Sequence, residues 1–138
     1  MRRALVDTGA IYAFVVRNDA HHQEAQAFMR DLLSARGVLI LADCVFAETM
    51  TLLKARVGAQ VAVRVGTELR RSPVYLWTPL DVEGERATWE AFQRYADKEW
   101  SYTDCAILVL ARRLNVPSVF AFDRHFEEMP GIVRLPAG

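Results

Sequence analysis

Short apolar runs alternate with longer segments of helical pattern along this 138-residue chain. Five runs have the length and composition of strands, over residues 2–6, 38–42, 74–78, 117–123 and 132–135. Alternation of strands and helices is typical of a parallel sheet that helices cover on both faces. The pattern therefore predicts an α/β fold, as a three-layer α/β/α sandwich around a mainly parallel sheet.

Cap residues and chain breakers indicate where the helices begin and end. Helices are expected over residues 8–16, from a cap at Asn18 or Asp19 to a stop at Gly37, and over residues 43–57, 58–71, 81–98 and 101–114, with a short turn at 124–129. No repeat, low-complexity tract or linker divides the sequence, and 52% hydrophobic with 25% charged residues is a globular composition. One domain over residues 1–138 is expected.

Hydropathy and charge exclude several classes of protein. No apolar run approaches the roughly 18 residues that span a bilayer, and the N-terminal segment lacks a signal-peptide core, so a cytoplasmic protein is expected. The 17 acidic and 17 basic residues balance, so no global attraction to nucleic acid is predicted. All but two of the basic residues are arginines, which suits phosphate contacts but equally reflects genome composition or heat adaptation.

Cysteine and histidine do not form a zinc pattern in this chain. Cys44 and Cys105 lie far apart in apolar segments, so both are expected to be reduced and buried. A zinc site would need more ligands at closer spacing. Surface or packing roles are expected for His21, His22 and His125.

Four acids interrupt apolar segments, and each has a structural explanation. Asp7 and Asp123 follow strands and could cap the next helix. Glu48 is the one charge among residues 44–53, where a carboxylate is either buried at a cost of several kcal/mol or reaches water at the helix edge. Asp104 stands three residues after Ser101, which is the spacing of a capping box.

The placement of the four acids favours a shared site. Asp7 and Asp123 come at the carboxyl ends of strands, the edge where parallel sheets bind ligands. Glu48 and Asp104 lie within the first two turns of helices that begin at that edge. Two carboxylates about 4 Å apart repel by about 4 kcal/mol at an effective dielectric near 20, so four of them need a cation. A cluster of oxygen ligands predicts Mg²⁺ or Mn²⁺.

The motifs around these acids resemble those of PIN-domain proteins of the VapC-like toxin group. The matching stretches are LVDTGAIYAF, ADCVFAETM, DKEWSYTDCAILVLARRLNV and VFAFDRHFE, which together extend over nearly the whole chain. The resemblance implies a metal-dependent ribonuclease with an α/β/α fold. It assigns Asp7, Glu48, Asp104 and Asp123 to the acidic metal site, with Asp7 and Asp104 as the closest motif matches.

The resemblance also has consequences for neighbouring hydroxyl groups. The family often has a serine two residues after its first acid, where this chain has Gly9. A hydroxyl contact from that position is therefore absent here. Thr8, Ser101 and Thr103 are the expected supporting donors next to the acids.

Partners are implied by the same resemblance. It implies an RNA substrate, a homodimer, and inhibition by an antitoxin that lies across the active-site groove. An apolar stripe at every fourth residue, Val57, Val61, Val65 and Leu69, could pack on the domain's own core, on a second subunit or on an antitoxin helix. Packing on the core is the simplest of the three.

Two other functions fit parts of the pattern. A Rossmann-like phosphohydrolase also has an aspartate at a strand end, but its usual D-x-D pair is missing because Thr8 and Gly9 follow Asp7. A non-catalytic PIN-like module could bind RNA or a protein, although a negative cleft gives no affinity for a polyanion. A dinucleotide-binding enzyme is disfavoured because no G-x-G-x-x-G follows a strand.

Overall fold

A computed structural model describes residues 2–137 of the chain. Its elements follow in the order β1 (Arg3–Val6), α1 (Thr8–Val15), α2 (His22–Ser34), β2 (Val38–Ala42), α3 (Asp43–Arg56), α4 (Ala59–Arg71), β3 (Tyr75–Thr78), α5 (Val82–Arg94), α6 (Tyr102–Leu114), β4 (Ser118–Phe120), α7 (His125–Glu128) and β5 (Val133–Leu135). The predicted alternation of strands and helices is confirmed.

The strands form one five-stranded sheet in the order β3-β2-β1-β4-β5. Every neighbouring pair is parallel, so the expected sheet is confirmed. The chain moves from β1 outward to β3 and then crosses back to β4. Since such crossovers are right-handed, α1–α4 lie on one face and α5 and α6 on the other. This is the predicted three-layer α/β/α sandwich.

The order in which the chain adds strands reverses between β1 and β4, which are parallel neighbours in the sheet. Asp7 follows β1 directly, and its backbone N–H donates a 3.0 Å hydrogen bond to the carbonyl oxygen of Phe120 in β4. The ends of the two strands are therefore tied together. From this point the connection after β1 leads to β2 on one side, and the connection after β4 leads to β5 on the other. A crevice at such a switch point is where open α/β sheets bind ligands.

The core lies on both faces of β1, β2 and β4. Leu5, Leu39 and Phe120 are each almost fully buried in these strands. Helix α6 is buried at every residue from Thr103 to Ala111, so the protein surrounds it on all sides. A helix held in this way gives the side chains of its first turn a fixed position.

Three predicted boundaries are wrong, and two of them have a visible local reason. Helix α2 begins at His22, because the Asp19 side chain instead accepts the backbone N–H of His21 at 3.0 Å and closes the preceding turn. Helix α5 ends at Arg94, because the chain turns back so that Tyr95 packs on the buried Trp100, with ring centroids 4.7 Å apart. Strand β4 ends at Phe120.

Gly37 does not end α2 through a left-handed backbone. That conformation belongs to Arg36, whose φ is 55°. Gly37 is required instead by a close approach, because a Cβ there would lie 2.9 Å from the carbonyl oxygen of Arg2 and 2.5 Å from Leu32 Cδ1. The glycine therefore lets the end of α2 pass next to the start of β1.

The apolar stripe of the fourth helix packs mainly on the core of its own chain. Leu69 is part of the core, and Val65 packs against it. Val57 lies outside α4 and is 41% exposed. Of the two free cysteines, Cys105 is buried as expected, whereas Cys44 is only partly buried. Among residues 2–137, no helix has the length and hydropathy to cross a bilayer.

Candidate functional site

Asp7 stands at the switch point as the residue before α1. Its backbone is extended and its carbonyl accepts the N–H groups of Ala10 and Ile11, so it occupies the N-cap position. Its side chain, however, makes no capping hydrogen bond, although it is only 7% exposed. Capping therefore does not explain why a carboxylate is buried here.

Glu48 lies on α3, whose buried face is formed by Val45, Thr49 and Leu53. Glu48 lies beside this face, one position before Thr49, and is exposed. Of the two sequence interpretations, the helix edge that reaches water is therefore correct.

Asp104 is held by a complete capping box at the start of α6. The hydroxyl of Ser101 accepts the backbone N–H of Asp104 at 3.0 Å, and Asp104 Oδ2 accepts the backbone N–H of Ser101 at 2.9 Å. The capping box expected from the sequence is thus confirmed. Only one carboxylate oxygen is used in it, so Asp104 Oδ1 is left for another partner.

Asp123 lies three residues beyond β4, in the loop that leads to α7. Its Oδ1 accepts the backbone N–H of His125 at 2.9 Å and closes a turn before α7, whose N-cap position is held by Arg124 rather than by Asp123. The side chain remains 42% exposed. Because β4 and β1 are neighbours, this loop lies at the same sheet edge as Asp7.

His125 joins these acids, so the surface or packing role expected for it is wrong. Its Nδ1 lies 2.9 Å from Asp104 Oδ2 and 3.2 Å from Asp123 Oδ1. One ligand atom from each of the three residues falls within 4.8 Å of the others. In the sequence, the signal for this contact was that His125 follows Asp123 by two positions. A turn that begins at Asp123 brings the imidazole back beside the carboxylate.

The other two histidines have the roles expected for them. His22 Nδ1 lies 2.8 Å from the carbonyl oxygen of Ala13 and ties α2 to α1. His21 stacks on Phe122, with ring centroids 4.4 Å apart.

The electrostatics of Asp7 indicate that the four acids share one field. Burial, and then the charge of Asp104, raise the pKa of Asp7 to about 7, and the charges of Glu48 and Asp123 add to the rise. The backbone N–H of Thr8 opposes it. A carboxyl group with a pKa near neutrality is a mark of a functional site.

His125 responds to the same negative field. Burial lowers the pKa of His125. The hydrogen bond to Asp104 and the charges of Asp123, Asp104 and Glu128 raise this pKa by more than burial lowers it, so the net shift is upward. The imidazole is thus stabilised in its charged form by the carboxylates around it.

The hydroxyl groups expected beside the acids have different surroundings. Thr8 is buried and donates to the carbonyl oxygen of Val45 at 3.4 Å, which links the start of α1 to α3. Thr103 is buried next to Asp104 in α6. A Cβ at Gly9 would lie 3.7 Å from Asp7 Oδ2, so a side chain in that place would touch the acid.

A groove of about 410 Å³ lies elsewhere on the molecule, and its lining residues include Phe14, Met29, Val65 and Tyr75. Its lining is mostly apolar and contains none of the four acids. The groove is therefore separate from the acidic edge.

The chain matches the PIN domain over residues 4–132. It is 30% identical over 121 residues to a protein of Mycobacterium tuberculosis named 23S rRNA-specific endonuclease VapC20, which covers 88% of this chain and 89% of the relative. It is 31% identical over 134 residues to the VapC ribonuclease of Archaeoglobus fulgidus, over 95% of this chain and 83% of the relative.

Solved structures agree with the sequence relatives. The crystal structure of M. tuberculosis VapC20, described as a sarcin-ricin loop cleaving toxin, superposes with a TM-score of 0.79 at 27% identity and covers 90% of this chain and 92% of that one. VapBC2 of Rickettsia felis has a TM-score of 0.71 at 10% identity, over 96% of each chain, which shows the fold alone.

Proposed function

The chain belongs to the PIN-domain family, and from this premise we propose that it is a metal-dependent endoribonuclease, the toxin of a toxin–antitoxin pair, formed as one domain over residues 1–138. One observation carries the proposal: Asp104, Glu48 and Asp123 raise the pKa of the buried Asp7 at the switch point of the sheet, in a chain whose relatives include proteins with ribonuclease names. Its alternatives, a phosphohydrolase and a non-catalytic module, have no comparable support.

The donor atoms at this edge fit a divalent cation. Asp7 is buried without a capping partner, and the charges around it raise its pKa, so a cation would relieve repulsion that the metal-free protein bears. Carboxylate oxygens are the ligands of Mg²⁺ and Mn²⁺. We propose one of these two as the cofactor.

Each acid has a distinct part in the proposed hydrolysis. Asp7 and Asp104 would hold the principal ion, and Asp123 would complete a second, weaker site. A divalent ion in such a site lowers the pKa of the attacking water and offsets charge on the phosphate.

The proton and the leaving group follow from these positions. Glu48, which is exposed, would orient the ion or take the proton of the attacking water, and solvent water would protonate the sugar oxygen that leaves as its bond to phosphorus breaks. Arg124, next to Asp123, is proposed to contact a substrate phosphate.

The substrate we propose is ribosomal RNA. The support is the name of VapC20 as a 23S rRNA endonuclease and the description of its crystal structure as cleaving the sarcin-ricin loop. That relationship extends along most of both chains. A hairpin with the sequence of that loop is therefore the first substrate to test.

We also propose an antitoxin partner, a homodimer and action in the cytoplasm. The support for the antitoxin is the description of the VapC20 crystal structure as that of a toxin. The homodimer rests on the family resemblance, and sedimentation velocity of the purified chain tests it. The cytoplasm follows from the proposed substrate, because ribosomes are there.

The test is cleavage of an end-labelled sarcin-ricin hairpin by purified protein with Mg²⁺, with Mn²⁺ and with chelator. Asp7→Asn and Asp104→Asn are expected to lose at least 100-fold in rate while remaining folded. Asp31→Asn is the matched control, since Asp31 is an exposed acid on α2. All variants are purified identically, so that cleavage by a contaminating nuclease would show as activity that persists in the site variants.

Each alternative function has its own result in this experiment. Cleavage at the native rate by either site variant would refute the assignment of these ligands. Hydrolysis of a generic aryl phosphate without RNA cleavage would support the phosphohydrolase. Binding of RNA that persists without any cleavage, with both metals and several structured RNAs, would support the non-catalytic module.

A further inference from the structure

The ring of His125 bridges two acids that come from different elements. Asp104 belongs to the first turn of α6, whereas Asp123 belongs to the loop after β4. His125 Nδ1 lies 2.9 Å from an oxygen of the first and 3.2 Å from an oxygen of the second. Because carboxylates only accept, Nδ1 carries the hydrogen of this contact and the ring nitrogen Nε2 is free of it.

The bridge leaves one oxygen of each acid unused. Asp104 Oδ2 accepts both the backbone N–H of Ser101 and His125 Nδ1. Asp123 Oδ1 accepts the backbone N–H of His125 and lies near the same ring nitrogen. Asp104 Oδ1 and Asp123 Oδ2 therefore remain for a metal. The hydrogen bonds to the other oxygen of each carboxylate fix the direction in which these two oxygens point.

Helix α7, which carries His125, is anchored on several sides. Phe126 is fully buried. Trp100 Nε1 donates to Glu128 Oε1 at 3.1 Å, and Arg134 Nε donates to Glu127 Oε1 at 2.9 Å. With three consecutive neighbours held in place, the imidazole has little freedom to leave the two acids.

On the basis of the proposed function, we propose that His125 is a positioning residue that sets the spacing of Asp104 and Asp123 for metal binding. It acts through its Nδ1–H group on both carboxylates and does not itself bind the ion. Groups that orient metal ligands in this way change metal affinity by about 10- to 100-fold when removed.

The test is titration of the purified full-length protein with Mn²⁺ alone, by calorimetry and by electron paramagnetic resonance. His125→Ala is expected to weaken Mn²⁺ binding by about 10- to 100-fold. His125→Asn is expected to restore most of the affinity, because its amide nitrogen is attached at the position of Nδ1. His125→Gln places its amide nearer to Nε2 and is expected not to restore it.

Two controls separate this inference from the proposed function. His22→Ala removes a ring that contacts Ala13 rather than an acid, and its affinity should equal that of the wild type. Asp104→Asn should lose binding altogether. Retained binding in Asp104→Asn would refute the metal site and the inference with it, whereas loss there with unchanged or tighter binding in His125→Ala would refute the inference alone.

Direct ligation is the competing role for His125. If His125 bound the ion directly, pulsed electron paramagnetic resonance of the Mn²⁺-loaded protein would show coupling of the ion to an imidazole nitrogen. Such coupling, or rescue by His125→Gln but not by His125→Asn, would overturn the proposal. Circular dichroism of each variant confirms folding before titration, and His125→Asn supplies the decisive comparison if His125→Ala does not fold.

Discussion

Asp7 illustrates how one residue can satisfy a local rule and still need a second explanation. A residue before a helix is expected to accept a backbone N–H with its side chain, and Asp7 has the position but not the bond. Its surroundings are apolar on one side and acidic on the other. Such a residue destabilises the metal-free protein, and this has a measurable consequence.

The stability of the metal-free protein is expected to fall as pH rises from about 4 to about 7. Folded Asp7 keeps its proton to a pKa of about 7, whereas its ordinary value is 3.8, so the unfolded chain binds fewer protons in this window. The difference of about three pKa units corresponds to on the order of 4 kcal/mol. Asp7→Asn should remove most of this loss.

Denaturant unfolding of the wild type and of Asp7→Asn, in chelator, at several values between pH 4 and pH 8 measures this effect. The two proteins should have similar free energies of unfolding near pH 4, and the variant should be the more stable at pH 8. Parallel curves over the whole range would mean that Asp7 is ionised in the folded protein throughout.

Glu48 and His125 show what residue patterns leave open. The apolar neighbours of Glu48 in the sequence suggested burial as readily as exposure. A helix can carry apolar residues on a side that the rest of the protein covers only in part. His125 looked isolated since its partner Asp104 is 21 residues away. Contact across that separation depends on how α6 and α7 pack.

At the scale of elements, the start of α6 is the most informative. The S-x-x-D spacing predicted a capping box, and the structure contains it. The cap and the proposed metal site are not alternatives here. The cap uses Asp104 Oδ2, so it orients the carboxylate toward the switch point with its other oxygen available.

Ser101→Ala is expected to lower the free energy of unfolding by about 1 kcal/mol, since it removes the bond from the N–H of Asp104 to the serine hydroxyl. The backbone N–H of Ser101 still holds Asp104 Oδ2. Mn²⁺ affinity should therefore fall far less than in Asp104→Asn. Ser34→Ala, at the end of α2, is the control for the unfolding measurement. A loss of affinity equal to that of Asp104→Asn would make the hydroxyl part of the site.

At the scale of the whole molecule, the strand order brings distant acids together. Asp7 and Asp123 are separated by most of the chain, yet their strands are neighbours because the last long crossover returns past β1 to place β4 beside it. A cation bound there would connect β1, α6 and the loop after β4. Binding to the folded state alone would stabilise the entire domain.

Mn²⁺ at about 100 times its dissociation constant is expected to stabilise the protein by about 2.7 kcal/mol and to raise its melting temperature by roughly 8 °C. The rise should be absent in Asp7→Asn and unchanged in Asp31→Asn. Differential scanning calorimetry with and without the metal measures it. An equal rise in all three proteins would indicate metal binding at some other place.

Local chemistry in the sequence determined the α/β class, most element boundaries and the capping box, because strand and helix periodicities and caps depend on neighbouring residues. The acids, too, could be ordered along the chain and assigned to strand ends and first turns. Tertiary structure alone decided that Glu48 is exposed, that Arg36 rather than Gly37 is left-handed, and that His125 bridges two acids. These depend on contacts between residues far apart in the chain, whose distances and burial are set only when the helices pack on the sheet.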